Sequence, residues 1–93
     1  MALYYFDTFD GVERARDEAG QDLPHREAAK ELAQSMLPNM AEDHLPDGHR
    51  RDFIVDVRDS YGYIIYTCML SLTGRWLDFS LPPTRNRTEP REV

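Results

Sequence analysis

Phe53-Ile54-Val55-Asp56-Val57-Arg58-Asp59-Ser60-Tyr61-Gly62-Tyr63-Ile64-Ile65-Tyr66-Thr67-Cys68-Met69-Leu70-Ser71-Leu72 is the stretch that decides how this chain folds. Residues 53–58 alternate apolar and polar side chains, the period of a half-buried strand. Asp59 to Gly62 is turn chemistry, and residues 63–72 return as a long second strand. Setting Arg58 opposite Tyr63 brings Val57 against Ile64, Val55 against Tyr66 and Phe53 against Cys68, with Leu70 and Leu72 continuing that face. A one-residue slip would turn Asp56 and Arg58 inward, so burial selects this arrangement. The other face carries Ile54, Asp56, Arg58, Tyr63, Ile65, Thr67, Met69 and Ser71. Ile54, Ile65 and Met69 make it more apolar than a fully solvated surface needs. A cover is therefore expected: the segment Arg75-Trp76-Leu77-Asp78-Phe79, or a second subunit. The residues expected in self-association are Ile54, Ile65, Met69, Trp76 and Phe79.

The first strand's inner face needs a partner, and the preceding segment supplies one. Ala28, Leu32, Met36 and Met40 recur every four residues, and Ala29, Ala33, Leu37 and Ala41 widen the stripe, so a helix with one buried face is expected. Pro24 suits the first helical position, and Asp22 and Glu27 favour that end of the dipole. Pro46 pushes Leu45 toward an extended conformation, so the helix should stop near His44. Pro38 removes an internal hydrogen bond. The apolar spacing continues through it, which predicts one long kinked helix rather than two. Earlier still, Leu3-Tyr4-Tyr5-Phe6 reads as a strand, Asp10-Gly11 as a turn and residues 12–16 as a weak second strand. Asp17 to Gly20 reads as a further turn. The expected fold is α+β: a two-layer ββαββ arrangement, an antiparallel sheet of about four strands with the long helix on one face. Residues 1–80 form the domain, and 81–93 a polar tail expected to be disordered.

The chain has 93 residues, 41% hydrophobic and 30% charged, which suits one folded domain. No apolar run approaches a membrane span. Met1 to Asp7 lacks the basic region of a signal peptide. The single cysteine, Cys68, excludes an internal disulfide and fits a reducing, cytoplasmic setting. Net charge is −6 and uneven: residues 1–48 hold eleven acidic and four basic side chains, giving −7, and residues 49–93 hold six and seven, giving +1. An acidic half repels phosphate. A basic patch would have to come from Arg50, Arg51 and Arg75, or from Arg85, Arg87 and Arg91. Asp52, Asp78, Glu89 and Glu92 dilute both groups, so nucleic acid is not the expected partner.

Few residues carry chemistry. His44 and His49 with Asp43 and Asp47 have metal-ligand types, but they lie across a helix end and a turn without a His-x-x-x-His pair, so no metal is expected. Cys68 falls on the buried face, where desolvation makes a thiol inert. Asp7, Asp10 and Asp17 occupy turns and should accept local backbone N–H groups. His25 has no evident role. No catalytic residue and no cofactor is expected.

Three stretches carry a resemblance. They are Tyr4-Tyr5-Phe6-Asp7 with Asp10-Gly11; Arg16-Asp17-Glu18-Ala19-Gly20-Gln21-Asp22-Leu23-Pro24 with Glu27-Ala28-Ala29; and Leu45-Pro46-Asp47-Gly48 leading into Asp52 to Val57 and Asp59. In this order, over about residues 3–72, the chain resembles a family of short bacterial proteins carrying a domain of unknown function. That resemblance implies an architecture and no activity. A weaker fold-level similarity is to HicB-like antitoxin domains, which place strands before a helix opening after a Leu-Pro step. Here their usual third strand before the helix is not expected. The leading functional expectation is a non-enzymatic interaction or regulatory module that self-associates as a dimer. The alternatives are a nucleic-acid-associated, antitoxin-like domain and, third, a small enzyme or metal protein.

Overall fold

The computed structural model describes residues 1–77. The expected hairpin is present: β4 (Arg50–Arg58) and β5 (Ile64–Thr73) run antiparallel. Phe53, Val55 and Val57 are fully buried on the inner face. The register departs from the expected one by two residues: Val57 pairs with Tyr66, Val55 with Cys68 and Phe53 with Leu70. The turn is the cause. The Asp59 N–H donates to the Tyr63 carbonyl at 2.9 Å, and the Asp59 carboxylate accepts the N–H groups of Tyr61 and Tyr63, both at 3.0 Å. This self-braced loop keeps Tyr63 out of the ladder, and a bulge between Val57 and Arg58 absorbs the odd residue. An offset of two preserves side-chain parity, so Tyr66 and Cys68 still pack against the core. Before the bulge the faces exchange. Ile65, expected on the outer face, packs against the core, while Ile64 is 60% exposed.

β1 (Ala2–Phe9) flanks the other edge of β4, with Phe6 opposite Val57 and Thr8 opposite Val55. Beside β1 lie β2 (Arg14–Ala15) and β3 (Gln21–Leu23). The strand order is β2-β1-β4-β5, with β3 also on β1, which makes five strands rather than four. β3 is the element the sequence reading leaves out: Asp17 to Gly20 is a break inside one hairpin arm, not its end. A third strand therefore does precede the helix.

α1 (Arg26–His44) is a single helix that runs through Pro38. Its start differs from expectation. Pro24 lies outside it, and His25 is the N-cap, its Nδ1 accepting the Ala28 N–H at 3.2 Å. The Leu45 N–H closes the other end on the Ala41 carbonyl at 2.8 Å, with Leu45 extended as Pro46 requires. Pro38 and Gln34 are both exposed, so the carbonyl that Pro38 leaves without a partner faces water. Ala29, Ala33 and Leu37 form the buried ridge, flanked by Leu32, Met36, Met40 and Ala41. They close the core with Tyr4, Phe6, Phe53, Val55 and Val57. A helix roughly 10 Å across spans about two strands spaced ~4.8 Å apart. It lies over β4 and β5, where Ile65, Tyr66 and Cys68 pack against the core and Gln34 donates a 2.7 Å hydrogen bond to the Tyr66 hydroxyl. Leu70, expected under the helix, is 40% exposed.

Candidate functional site

Two carboxylate–arginine braces hold the sheet. The first repairs the break between β2 and β3. One oxygen of the Asp17 carboxylate accepts the Phe6 N–H at 3.0 Å; the other accepts those of Ala19 and Gly20 at 3.0 and 3.1 Å. The Asp17 N–H donates to Asp7 at 2.9 Å. Arg58, the one buried charged residue among the described residues, reaches both strands. It grips the Asp7 carboxylate with two nitrogens at 2.7 and 3.1 Å, donates to the Asp17 carbonyl at 2.9 Å and lies over the Tyr5 ring.

This geometry sets the titrations. The hydrogen bond from Arg58 holds the Asp7 carboxyl below its ordinary range. Burial works to raise Asp17, but the three N–H groups it accepts outweigh that and leave it lowered. The same contact with Asp7 raises Arg58. Because both carboxyls sit below their unfolded values, the unfolded chain binds protons more readily. Their contribution is complete above about pH 4 and drains as pH falls through the folded values. Urea midpoints at pH 7 and pH 3 should therefore differ more for the native chain than for Asp17→Asn. An equal pH response in the two would remove Asp17 from acid unfolding.

The second brace joins the β1–β2 turn to the start of β4. Asp10 accepts the N–H groups of Val12 and Glu13 at 2.9 and 2.8 Å, and these bonds lower its carboxyl. Arg51, its side chain nearly buried, donates to the Asp10 carbonyl and to the Asp47 carboxylate, and lies over Phe53. Asp10 and Asp17 thus act in turns as expected, whereas Asp7 is an ion-pair partner.

Gly20 is held by the same packing. Its φ is +76°, and a Cβ there would lie 2.8 Å from Leu3 Cδ2 and 2.9 Å from Tyr5 Cε2. Gly62 has φ +93° and open space around it. Gly62→Ala should cost about 1–2 kcal/mol of backbone strain alone. Gly20→Ala should cost more, because it also pushes the ring beneath Arg58. Equal melting-temperature losses would mean that Leu3 and Tyr5 yield freely.

The other sequence candidates separate. His44 lies 3.6 Å from Asp10, His49 faces the Gly74 carbonyl at 3.2 Å, and Asp47 pairs with Arg51. Cys68 is half-buried, and burial pushes its thiol up. Arg50 pairs with Asp52 at 3.4 Å, so Arg50 and Arg51 are both engaged with carboxylates.

On the outer face Ile54 lines a shallow depression of about 340 Å³ with Phe9, Ile64, Arg14 and Asp56. Met69, opposite Ile54, is 60% exposed and Trp76 is 77% exposed. Trp76 does not cover the sheet as expected. Phe79 and the 81–93 tail lie outside the described residues. Of the five self-association candidates, Ile54 and Met69 are therefore neighbours on the open face, Trp76 lies beyond the end of β5, and Ile65 faces inward.

Sequence reasoning missed Arg58, Arg51 and His25. The acidic turn motifs were visible, but nothing in the spacing tied residue 58 to residue 7. No described helix is long and apolar enough to cross a membrane. No curated protein and no solved structure matches the chain, so the HicB-like similarity finds no counterpart. The family model described as Domain of unknown function (DUF6894) matches residues 3–71, a span that holds both braces, and the chain belongs to that family.

Proposed function

We propose that this chain is a non-enzymatic interaction module that self-associates through the open side of its sheet. The carrying observation is the apolar surface along that side, with Ile64 and Met69 each 60% exposed and Trp76 77% exposed just beyond β5. The acidic residues support the same reading. Asp7, Asp10 and Asp17 are engaged by arginines or by backbone N–H groups, a bracing role rather than one in proton transfer. Nucleic-acid contact would need Arg50, Arg51 and Arg75 free on one surface, and Arg51 is spent on Asp10 and Asp47.

Light scattering at micromolar concentration should give twice the 10.9 kDa chain mass. Trp76 fluorescence should shift to the blue as concentration rises. A monomer whose Trp76 emission is independent of concentration would remove self-association.

A further inference from the structure

We infer that the partner is a second copy of this chain, and that the contact is β5 paired antiparallel with β5 about a twofold axis perpendicular to the sheet. This rests on the self-association just proposed and names its geometry.

The two margins of the sheet are unlike. One ends in β2 and β3, two and three residues long, with a break between them and Arg14, Arg16, Glu18 and Asp22 along it. Short pieces, breaks and charges are the usual means of keeping a sheet margin from pairing. The other margin is β5, and among the described residues nothing pairs with its far side. Its ten residues, Ile-Ile-Tyr-Thr-Cys-Met-Leu-Ser-Leu-Thr, include no charge, no proline and no glycine. A row of backbone donors and acceptors is left there with none of the protection the opposite margin has.

Charge favours a copy of itself as the occupant. Residues 1–48 carry −7 and residues 49–93 carry +1. Meeting at the β2–β3 margin would bring the acidic halves together. Meeting at β5 joins the near-neutral strands β4 and β5 and keeps apart residues 2–23, whose six acidic and two basic side chains give −4.

Symmetry fixes the register to a small set. Residues opposite each other in a continuous sheet share a face, so one residue near the middle of the strand, Cys68 or Met69, faces its own copy across the axis. Either choice brings the Trp76 segment of one copy beside the turn bearing Tyr61 and Tyr63 of the other. Those three aromatics are 77%, 86% and 71% exposed and stand at opposite ends of the strand. Antiparallel pairing joins them twice, extending the contact beyond the strand edge toward the ~1,000 Å² a specific interface needs.

The test uses the full chain. The double variant Thr67→Lys, Met69→Lys places like charges across the axis at two exposed outer-face positions. It should weaken dimerisation about tenfold or more by sedimentation, with the far-UV circular dichroism spectrum unchanged. Ile54→Lys, on the neighbouring strand, should leave the dimer intact. Hydrogen exchange of the native chain should show β5 amides whose protection rises with concentration. A dimer that survives the edge variant but is lost with Ile54→Lys would overturn edge pairing while leaving self-association standing. A monomer would overturn both. If its β5 amides were protected at every concentration, the edge would be covered by residues 78–93 of the same chain.

Discussion

Phe53→Ala is expected to leave the chain at or beyond the limit of folding. Phe53 has no exposed surface and lies at the centre of the core, beneath Arg51 and beside the His44 ring at 6.2 Å. Truncating a buried phenylalanine costs about 3–5 kcal/mol. Small domains are stable by only about 5–15 kcal/mol, and this chain belongs at the low end of that range by size. A helix whose inner ridge is Ala29, Ala33 and Leu37 has little side-chain bulk to collapse into the void. Phe53→Leu retains most of the volume and should cost about 1 kcal/mol. Thermal melts followed by circular dichroism decide the matter. If Phe53→Ala melts within a few degrees of the native chain, the core does not centre on β4.

Arg58→Met should be the most disruptive change of any charged side chain in the described residues. It removes the bidentate grip on Asp7 and the bond to the Asp17 carbonyl together, and it leaves the part-buried Asp7 carboxylate without its ion-pair partner. Arg50→Met, at an exposed pair with Asp52, supplies the contrast and should change stability little. Adding Asp7→Asn to Arg58→Met should restore part of the loss, because the orphaned charge goes with it. Urea unfolding of the native chain, the two single variants and the double variant checks this. If Asp7→Asn adds to the loss instead of offsetting it, the pairing is not the source of the effect.

Side-chain parity was legible for residues 53–57 and 66–68, but not for Ile64 and Ile65 beside the bulge, and exact pairing was not legible, for a physical reason. Burial of Phe53, Val55 and Val57 settles which face points inward, whatever the turn does. The turn then chooses among registers that differ by two, and the Asp59 carboxylate made that choice with bonds no hydrophobic pattern encodes. β3 escaped because three residues are too few to show a period. Its pairing with β1 follows from Asp17 bridging the gap before it. The helix was readable from its apolar ridge, but its N-cap was not, since histidine is outside the usual capping set. The turn carboxylates were recognisable as backbone acceptors. Their cationic partners were not, because Asp7 and Arg58 meet across fifty-one residues of chain.

That separation bears on how the chain acquires its shape as the ribosome delivers it. β1 leaves first, yet its long edge stays bare until β4 has emerged. In the interval Asp7 has only the Asp17 N–H and the nearby Arg16 of its own hairpin, and its two-pronged partner is still to come. The central strand and the grip on Asp7 reach the sheet together, in residues 50–58, so its longest-range contacts are the last to become available.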